Sequence, residues 1–258
     1  MNSSSAFWRD LSLPHVETRR ACSSRACYKA HHHPTFSIGA VDAGGSIFTG
    51  SGNPTVKLRP GSLVLVPAGC VHACNPLPGN TWSYQMLHLE AQWLQEHAPA
   101  LNGDTARVLH CPTLYAQFCA MNAMLFSTAS ALDKDAALLA FLGACTDACA
   151  ETLPSERKRL PQQLAQVCAT LHAQPSASLA QLAQSAGMSR FQLIRAFRAA
   201  TGMTPHAYQL NAHINSARSR LQTGATLAQV AYELGFADQS HFQRVFKAHT
   251  GMTPGRYR

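Results

Sequence analysis

The sequence predicts an α+β protein of two domains, in which a β-barrel-like domain followed by helices precedes an all-α domain. Three observations support this fold class. Short β-rich runs separated by turn residues fill residues 27–90, apolar residues at helical spacing fill most of the chain after residue 90, and one pattern of about 30 residues occurs twice after residue 177. The chain of 258 residues is long enough to bury a core in each domain.

The β-rich region contains six candidate strands, rich in Val, Ile, Leu, Thr and aromatic residues. Glycine and proline clusters such as Gly44-Gly45 and Pro67-Ala68-Gly69 separate them. The candidate strands are Ala26–Ala30, Phe36–Asp42, Ser46–Gly50, Val56–Leu58, Ser62–Val66 and Trp82–Leu89. Many short strands at this spacing are typical of a sandwich or a small barrel.

Two short patterns in this region contain histidine. Pro67-x-Gly69-x2-His72 resembles the second conserved motif of the cupins, and His31-x-His33 resembles the beginning of the first. A metal-binding cupin also has a glutamate a few residues after that first pair, which this chain lacks. We therefore expect no bound metal, and these three histidines are the candidate ligands of zinc or iron(II) if one is bound. The alternative is that they line a small-molecule pocket, or that they lie in the core with their ring nitrogens hydrogen-bonded.

The resemblance to cupins implies a pocket for a small-molecule effector inside the barrel, with apolar walls and a few polar groups. Strand alternation places Trp82, Tyr84 and Met86 on one face of their strand. The candidate lining residues are Tyr28, His31, His33, His72, Trp82, Tyr84 and Met86.

Helical spacing begins after residue 90, with candidate helices at Ala91–Glu96, Thr113–Ser127 and Leu132–Thr152. The predicted inward residues of the last two are Leu114, Phe118, Met121, Leu125, Phe126, Ala136, Leu139, Ala140, Leu142 and Gly143. Helices this apolar must be buried, either on the barrel or against a second copy in a homodimer.

A proline followed by a run of charges predicts a linker at residues 153–159. The predicted domains are therefore 1–152 and 160–258. The second domain is expected to open with a helix at Leu160–His172, with Leu164, Val167, Cys168 and Leu171 on its inward side.

The repeated pattern, at Ser178–Tyr208 and Thr226–Tyr257, is typical of a helix-turn-helix. Each copy begins with a Ser or Thr N-cap, turns at a glycine and ends at Gly-Met-Thr-Pro. A helix at Ala207–Leu221 is expected to join the copies, with Leu210, Ile214, Ala217 and Leu221 inward.

The outer face of the second helix in each copy is polar and basic. It carries Arg190, Gln192, Arg195 and Arg198 in the first copy and Gln239, Gln243, Arg244 and Lys247 in the second. Arginine can bond guanine and glutamine can bond adenine in the major groove, and positive charge suits phosphates. The alternative is two helical hairpins with a solvated basic face. The match of core, turn and outer face in both copies favours DNA binding.

The last hundred or so residues resemble the DNA-binding domain of the AraC/XylS family of bacterial transcription regulators. The resemblance covers about two fifths of the chain and is specific at Gly235-Phe236, His241-Phe242, Arg244 and Phe246-Lys247. It implies two tandem helix-turn-helix units that enter adjacent major grooves, behind a cupin-like sensor domain. It also implies base contacts by Phe191, Ile194, Arg195, Gln239, Ser240, Gln243 and Arg244.

Charge is concentrated in the C-terminal region. From Glu156 to the end there are twelve basic and three acidic residues, a net charge of +9, whereas the whole chain carries +8. A basic domain beside a nearly neutral one fits a nucleic-acid module beside a module with another task. The first 13 residues lack the apolar core of a signal peptide, and no stretch is long and apolar enough for a membrane span, so we expect a cytoplasmic protein.

The nine cysteines are odd in number and contain no Cys-x-x-Cys pair, so we expect most to be reduced and buried. A redox or thiophilic-metal sensor is one alternative function, with Cys70 and Cys74, or Cys22 and Cys27, as its elements. A metal-dependent cupin enzyme fused to a DNA-binding module is another, although the sequence shows no nucleophile or paired-carboxylate pattern.

We therefore predict a non-enzymatic, ligand-responsive transcription regulator without a cofactor. The expected partners are promoter DNA, a small-molecule effector and RNA polymerase, with a homodimer as the alternative to a monomer and no membrane contact. Activation rather than repression is what the resemblance implies.

Overall fold

The computed structural model describes residues 4–50, 55–150, 160–174 and 176–258. The chain divides into two compact units. The first consists of Met1–Ala26, His33–Cys70 and Cys74–Arg157, and the second of Cys27–His32, Val71–Ala73 and Lys158–Arg258. The predicted linker at residues 153–159 lies outside the described residues.

The first unit is built on two sheets. The strands are β1 (Ser4–Arg9), β2 (Val16–Ser24), β3 (Phe36–Gly44), β4 (Ser46–Gly50), β5 (Val56–Leu58), β6 (Leu63–Val66), β7 (His72–Pro76), β8 (Trp82–Leu89) and β9 (Arg107–Leu109). Six of them form a sheet in the order β1-β2-β8-β3-β6-β9, and three form a sheet in the order β5-β4-β7. The fold class predicted from the sequence is confirmed for this domain.

The strand prediction was wrong at the beginning of the domain. Residues 26–30 form no strand, and His31 makes only an isolated bridge with His72. In contrast β1 and β2 were not predicted. Charged residues interrupt their apolar pattern. Two of these residues pair within the sheet, where Arg9 donates to Glu17 at 2.6 Å.

The described part of the first unit also contains the α-helices α1 (Ala91–His97), which precedes β9, and α2 (Pro112–Leu125) and α3 (Ala131–Ala150), which follow it. The predicted inward residues Leu114, Phe118, Met121 and Leu125 are buried on α2, and Phe126 beyond its end is partly buried. The inward face predicted for α3 was wrong at every position except Leu142. Its buried residues are Lys134, Leu138, Phe141, Leu142, Cys145 and Cys149, whereas Ala136, Leu139, Ala140 and Gly143 are exposed. Small apolar residues occur on both sides of this helix, so their spacing did not identify the buried side.

The two faces of the six-stranded sheet have different neighbours. Leu87 pairs with Thr18 on one side and with Ile38 on the other, which places these three side chains on one face. Leu87 and Ile38 belong to the core that includes residues of α2 and α3, and Thr18 donates to Asn122 of α2 at 2.7 Å. The opposite face of the sheet is therefore turned away from these helices.

The second unit is helical over residues 162–257. Its helices are α4 (Gln162–Ala173), α5 (Leu179–Ser185), α6 (Arg190–Thr201), α7 (Pro205–Gln222), α8 (Leu227–Glu233), α9 (Gln239–Thr250) and α10 (Pro254–Tyr257). The helices predicted at residues 160–172 and 207–221 are confirmed within two residues at each end. Among the described residues, no helix is both long and apolar enough to cross a membrane.

Candidate functional sites

The first helical pair, α5 and α6, turns one side of α6 to solvent. Ser189 caps α6 in a capping box, and Gly187 makes the preceding turn at φ 63°, a conformation that favours glycine. Leu193 and Phe197 are fully buried. Because these residues fix the inner side of α6, the side that carries its arginines lies in water. Gly202 ends the helix at φ 80°.

The second pair, α8 and α9, repeats this arrangement with different chemistry. Asp238 caps α9 by accepting a hydrogen bond from the backbone N–H of His241 at 2.6 Å. Phe242 and Phe246 are fully buried, and Gly251 ends the helix at φ 75°. Both copies of the repeated pattern therefore form a short helix, a turn and an exposed second helix.

The predicted DNA contacts all lie on the outer sides of these two helices. Eight are exposed: Arg190, Phe191, Gln192, Arg195, Gln239, Ser240, Arg244 and Lys247. The other two, Ile194 and Gln243, are partly exposed. Gln192 has a second role, because its side-chain oxygen accepts the backbone N–H of Ser189 at 2.9 Å.

Of the three candidate metal ligands, His31 and His72 belong to the second unit and His33 belongs to the first. The ring of His31 is 4.6 Å from that of His72, and its Nδ1 donates to the carbonyl of Lys29 at 2.6 Å. Burial lowers the pKa of His31 well below its usual value, so its ring is neutral. A neutral ring oriented by a carbonyl is the form in which histidine binds a metal.

Trp82, Tyr84 and Met86 share one face of β8, as alternation predicted, and it is the face turned away from α2. The rings of Trp82 and Tyr84 stack with centroids 4.1 Å apart. His88 lies two residues after Met86 on the same face. It was not predicted as a lining residue, although the same alternation includes it. Its ring lies 4.8 Å from that of His33.

Arg19 of β2 was also missed, because β2 itself was not predicted. Its strand partner is Met86. Its Nη2 donates to the hydroxyl of Tyr84 at 2.6 Å, and its guanidinium carbon lies 5.3 Å from the centre of the Tyr84 ring. Tyr28 lies outside any strand, with its ring 6.2 Å from that of His31.

The cysteines proposed as a redox element differ in their surroundings. Burial raises the pKa of the Cys74 thiol to about 11, and the buried thiol of Cys70 donates to the carbonyl of Asp104 at 3.2 Å. A protonated, buried thiol reacts slowly. Cys22 and Cys27 are exposed.

Two family models match the chain. The model of the AraC-like ligand binding domain matches residues 13–142, and a helix-turn-helix domain model matches residues 182–258. The chain belongs to the AraC family. It is an AraC-type transcription regulator with a ligand-binding domain and a helix-turn-helix DNA-binding domain.

Related transcriptional regulators match over most of the chain. An uncharacterised transcriptional regulator of Bacillus subtilis, YbfI, is 25% identical over 236 residues, which are 88% of this chain and 86% of that protein. The uncharacterised regulator YidL of Escherichia coli is 28% identical over 218 residues, covering 81% of this chain and 73% of its own.

Solved structures share the fold. ToxT of Vibrio cholerae aligns with 100% of this chain and 98% of its own at a TM-score of 0.57 and 12% identity. ToxT has also been solved with an unsaturated fatty acid bound, and that structure aligns at a TM-score of 0.55 and 13% identity, over 99% of this chain and 94% of its own. At this identity the likeness shows the two-domain AraC fold.

Proposed function

We propose that this AraC-family regulator recognises promoter DNA with the exposed sides of α6 and α9 and responds to a small molecule bound in its sheet-rich domain. One observation carries the DNA-binding part. Two helices with matching buried sides, caps and glycine ends expose arginine, lysine and glutamine on the side opposite the core. Such a side can enter a major groove.

The proposed contacts divide by chemistry. Arg195 and Arg244 can each offer two donors to a guanine, and Gln243 can bond an adenine. Lys247 is placed for phosphate contact near the end of α9. Phe191 is 86% exposed, and burial of this ring against DNA would remove apolar area from water.

Footprinting of the purified protein on the DNA upstream of its own and neighbouring genes, with random competitor at stated salt, tests this proposal. We expect two protected major-groove patches about one helical turn (~34 Å) apart. Binding without preference for any sequence would contradict it.

We further propose that the protein is a homodimer through the outer side of α3. The support is an exposed stripe of apolar and small residues, namely Leu132, Ala136, Leu139, Ala140 and Gly143. Leu132 is 79% exposed and Leu139 38%, and burial of such a stripe against a second copy is favourable.

Light scattering should give twice the chain mass, and Leu139→Arg should halve the measured mass. Gln117→Arg on the exposed surface of α2 is the control, and a monomeric wild-type protein at micromolar concentration would contradict the proposal.

We also propose that the regulator acts in the cytoplasm as an activator that contacts RNA polymerase, and that it is not an enzyme. Its relatives are named transcriptional regulators. Transcription in vitro from the footprinted promoter should rise when the protein is added to purified polymerase. A fall would identify a repressor.

A further inference from the structure

An open cavity of about 430 Å³ lies among three turns of the sheet-rich domain. The first turn, Gly44-Gly45, joins β3 to β4, the second contains Arg59 after β5, and the third spans residues 77–81 between β7 and β8. This volume is within the range of small-molecule pockets. Among the described residues that line the cavity, none was predicted to contact DNA or an effector.

Backbone contacts fix the walls of the cavity. The carbonyl of Gly45 accepts the backbone N–H of Leu77 at 3.1 Å, and the carbonyl of Leu77 accepts that of Asn80 at 3.0 Å. Gly44 has a φ of 74°, and a Cβ at this position would overlap the carbonyl oxygen of Thr81. The turns therefore meet closely without a ligand, and a preformed cavity lowers the entropic cost of binding.

Two cations line this cavity, and both are available to a ligand. Lys57 and Arg59 are exposed, and Leu58 between them is 1% exposed, so alternation directs the two long side chains to the same side. In the part of the chain that the structure describes, no residue accepts a hydrogen bond or forms an ion pair with either side chain. The described lining residues include no acid. A ligand in the cavity therefore meets two uncompensated positive charges.

The other lining groups are neutral, and they restrict what kind of anion fits. Asn80 and Thr81 offer an amide and a hydroxyl group, which can bond hydroxyl groups of a ligand, and Leu77 adds apolar surface. Two cations match the charge of a phosphate monoester, which is about −1.5 to −2 at pH 7. A carboxylate would leave one of the two cations unmatched.

We infer that this cavity binds a small hydroxylated molecule that carries a phosphate monoester. Arg59 takes two phosphate oxygens through paired N–H donors, and Lys57 acts as a point charge. Asn80 and Thr81 bond hydroxyl groups on the body of the ligand. The inference goes beyond the proposed function, because it requires neither promoter recognition nor control by an effector.

Isothermal titration calorimetry of the full-length protein at pH 7.5 tests the inference with three probes of similar shape. Glucose 6-phosphate carries nearly two negative charges, glucose 6-sulfate carries one, and glucose carries none. We expect glucose 6-phosphate to bind one-to-one and about tenfold or more tighter than glucose, with the sulfate between them. If the phosphate binds no more tightly than glucose, the inference is wrong, and this result needs no variant.

Single-charge variants assign the binding to this cavity. Lys57→Gln and Arg59→Gln should each weaken the binding of glucose 6-phosphate about threefold to tenfold, since solvent screens both exposed charges, and the double variant should bind it no better than glucose. Arg25→Gln removes an exposed cation of the same domain that does not line the cavity, and it should leave the affinity unchanged. An equal loss in Arg25→Gln, or undiminished binding to the double variant, would overturn the assignment.

A further variant reverses the electrostatics without changing the size of a side chain. Asn80→Asp places a negative charge beside the two cations, so it should weaken the binding of glucose 6-phosphate about tenfold and leave that of glucose unchanged. An unchanged affinity for the phosphate would contradict its location in this cavity.

DNA phosphates have the same chemistry, and a salt titration separates the two sources. The affinity for random DNA is measured over a range of salt concentrations for the wild-type protein and for the double variant of Lys57 and Arg59. We expect the same salt slope for both proteins. A slope reduced by about two, without binding of glucose 6-phosphate to the wild type, would assign the two cations to the DNA backbone and overturn the inference.

Discussion

The two helix-turn-helix copies have the same helices, caps and terminal glycines, but they expose different side chains. Both recognition helices span 12 residues, begin at a side-chain cap and end at a left-handed glycine. Their cores are built differently. The ring of Phe197 in α6 has its centroid 5.5 Å from that of Tyr208, in a core that includes residues of α4. The ring of Phe246 in α9 lies between the rings of Phe242 and Tyr257, with centroid distances of 5.6 and 5.5 Å.

The exposed sides differ more than the cores. α6 carries three arginines with an exposed phenylalanine and an isoleucine, whereas α9 begins with glutamine and serine and has an aspartate at its N-cap. Arginine and apolar residues suit phosphates, guanine and thymine methyl groups, and amide and hydroxyl groups suit several base edges. The comparison indicates that the buried side of each copy specifies the helix pair, while the outer side is free to specify a different half-site.

The largest expected effect is on the free energy of unfolding, and it tests the buried side that the two copies share. Phe197→Ala and Phe246→Ala should each lower the free energy of unfolding by about 3–5 kcal/mol, because each leaves a cavity in a fully buried site. Urea unfolding followed by circular dichroism measures it. Phe191→Ala on the exposed side of α6 is the control and should change stability by less than about 0.5 kcal/mol. A small loss for only one of the two buried residues would show that the copies are not equivalent in their packing.

The next effect tests the outer sides. Arg195→Ala and Arg244→Ala should each weaken specific DNA binding by about 1–3 kcal/mol and relax base choice in one half-site only. Binding to operator variants and to random DNA, titrated side by side, measures both quantities. Tyr232→Ser, on the exposed surface of α8, should have no effect. Equal losses on specific and random DNA would make these arginines phosphate contacts.

A smaller effect concerns the glycines that end the two helices. Gly202→Ala and Gly251→Ala should each cost about 1 kcal/mol of stability, since φ angles of 80° and 75° disfavour a Cβ. Gly255 lies in α10, has ordinary backbone angles and has space for a methyl group. Gly255→Ala is therefore the control, and a loss there as large as at Gly202 would argue against the conformational explanation.

The smallest effect is a difference in acid sensitivity. Burial lowers the pKa of His249 in the second copy, where the first copy has Ala200. The neutral ring is favoured in the folded state, so its contribution to stability is complete above the unfolded pKa of about 6.5 and is lost as the pH falls below it. His249→Ala should therefore reduce the loss of stability between pH 7.5 and 5.5. Solvent screens this partly exposed residue, which keeps the effect small. An unchanged pH profile would exclude His249 as its source.

Local signals explain why the C-terminal helices were predicted well. Ser189, Asp238 and the helix-ending glycines act within a few residues of the chain, so their effect can be read directly from the sequence. The spacing of His31, His33 and His72 resembles known motifs, and their role as ligands stays a prediction. Trp82, Tyr84 and Met86 followed from strand alternation.

The missed features depend on contacts between distant residues. Arg19 and Tyr84 are 65 positions apart, and only the pairing of β2 with β8 brings them together. The buried side of α3 was assigned wrongly because the helix has apolar residues all round. Its neighbours, rather than its own pattern, decide that Leu138 is buried and Leu139 exposed.

The long helix α7 has a consequence for the DNA that such a protein can use. Its 18 residues form a continuous rod of about 27 Å at 1.5 Å per residue, and it packs against α6 near one end and against α8 and α9 towards the other. The two copies are therefore held at a fixed separation and phase, unlike domains joined by a flexible tether. One base pair inserted between the half-sites shifts the second by about 3.4 Å along the helix axis and rotates it as well. Operator spacing should consequently be invariant across the genes that this regulator controls.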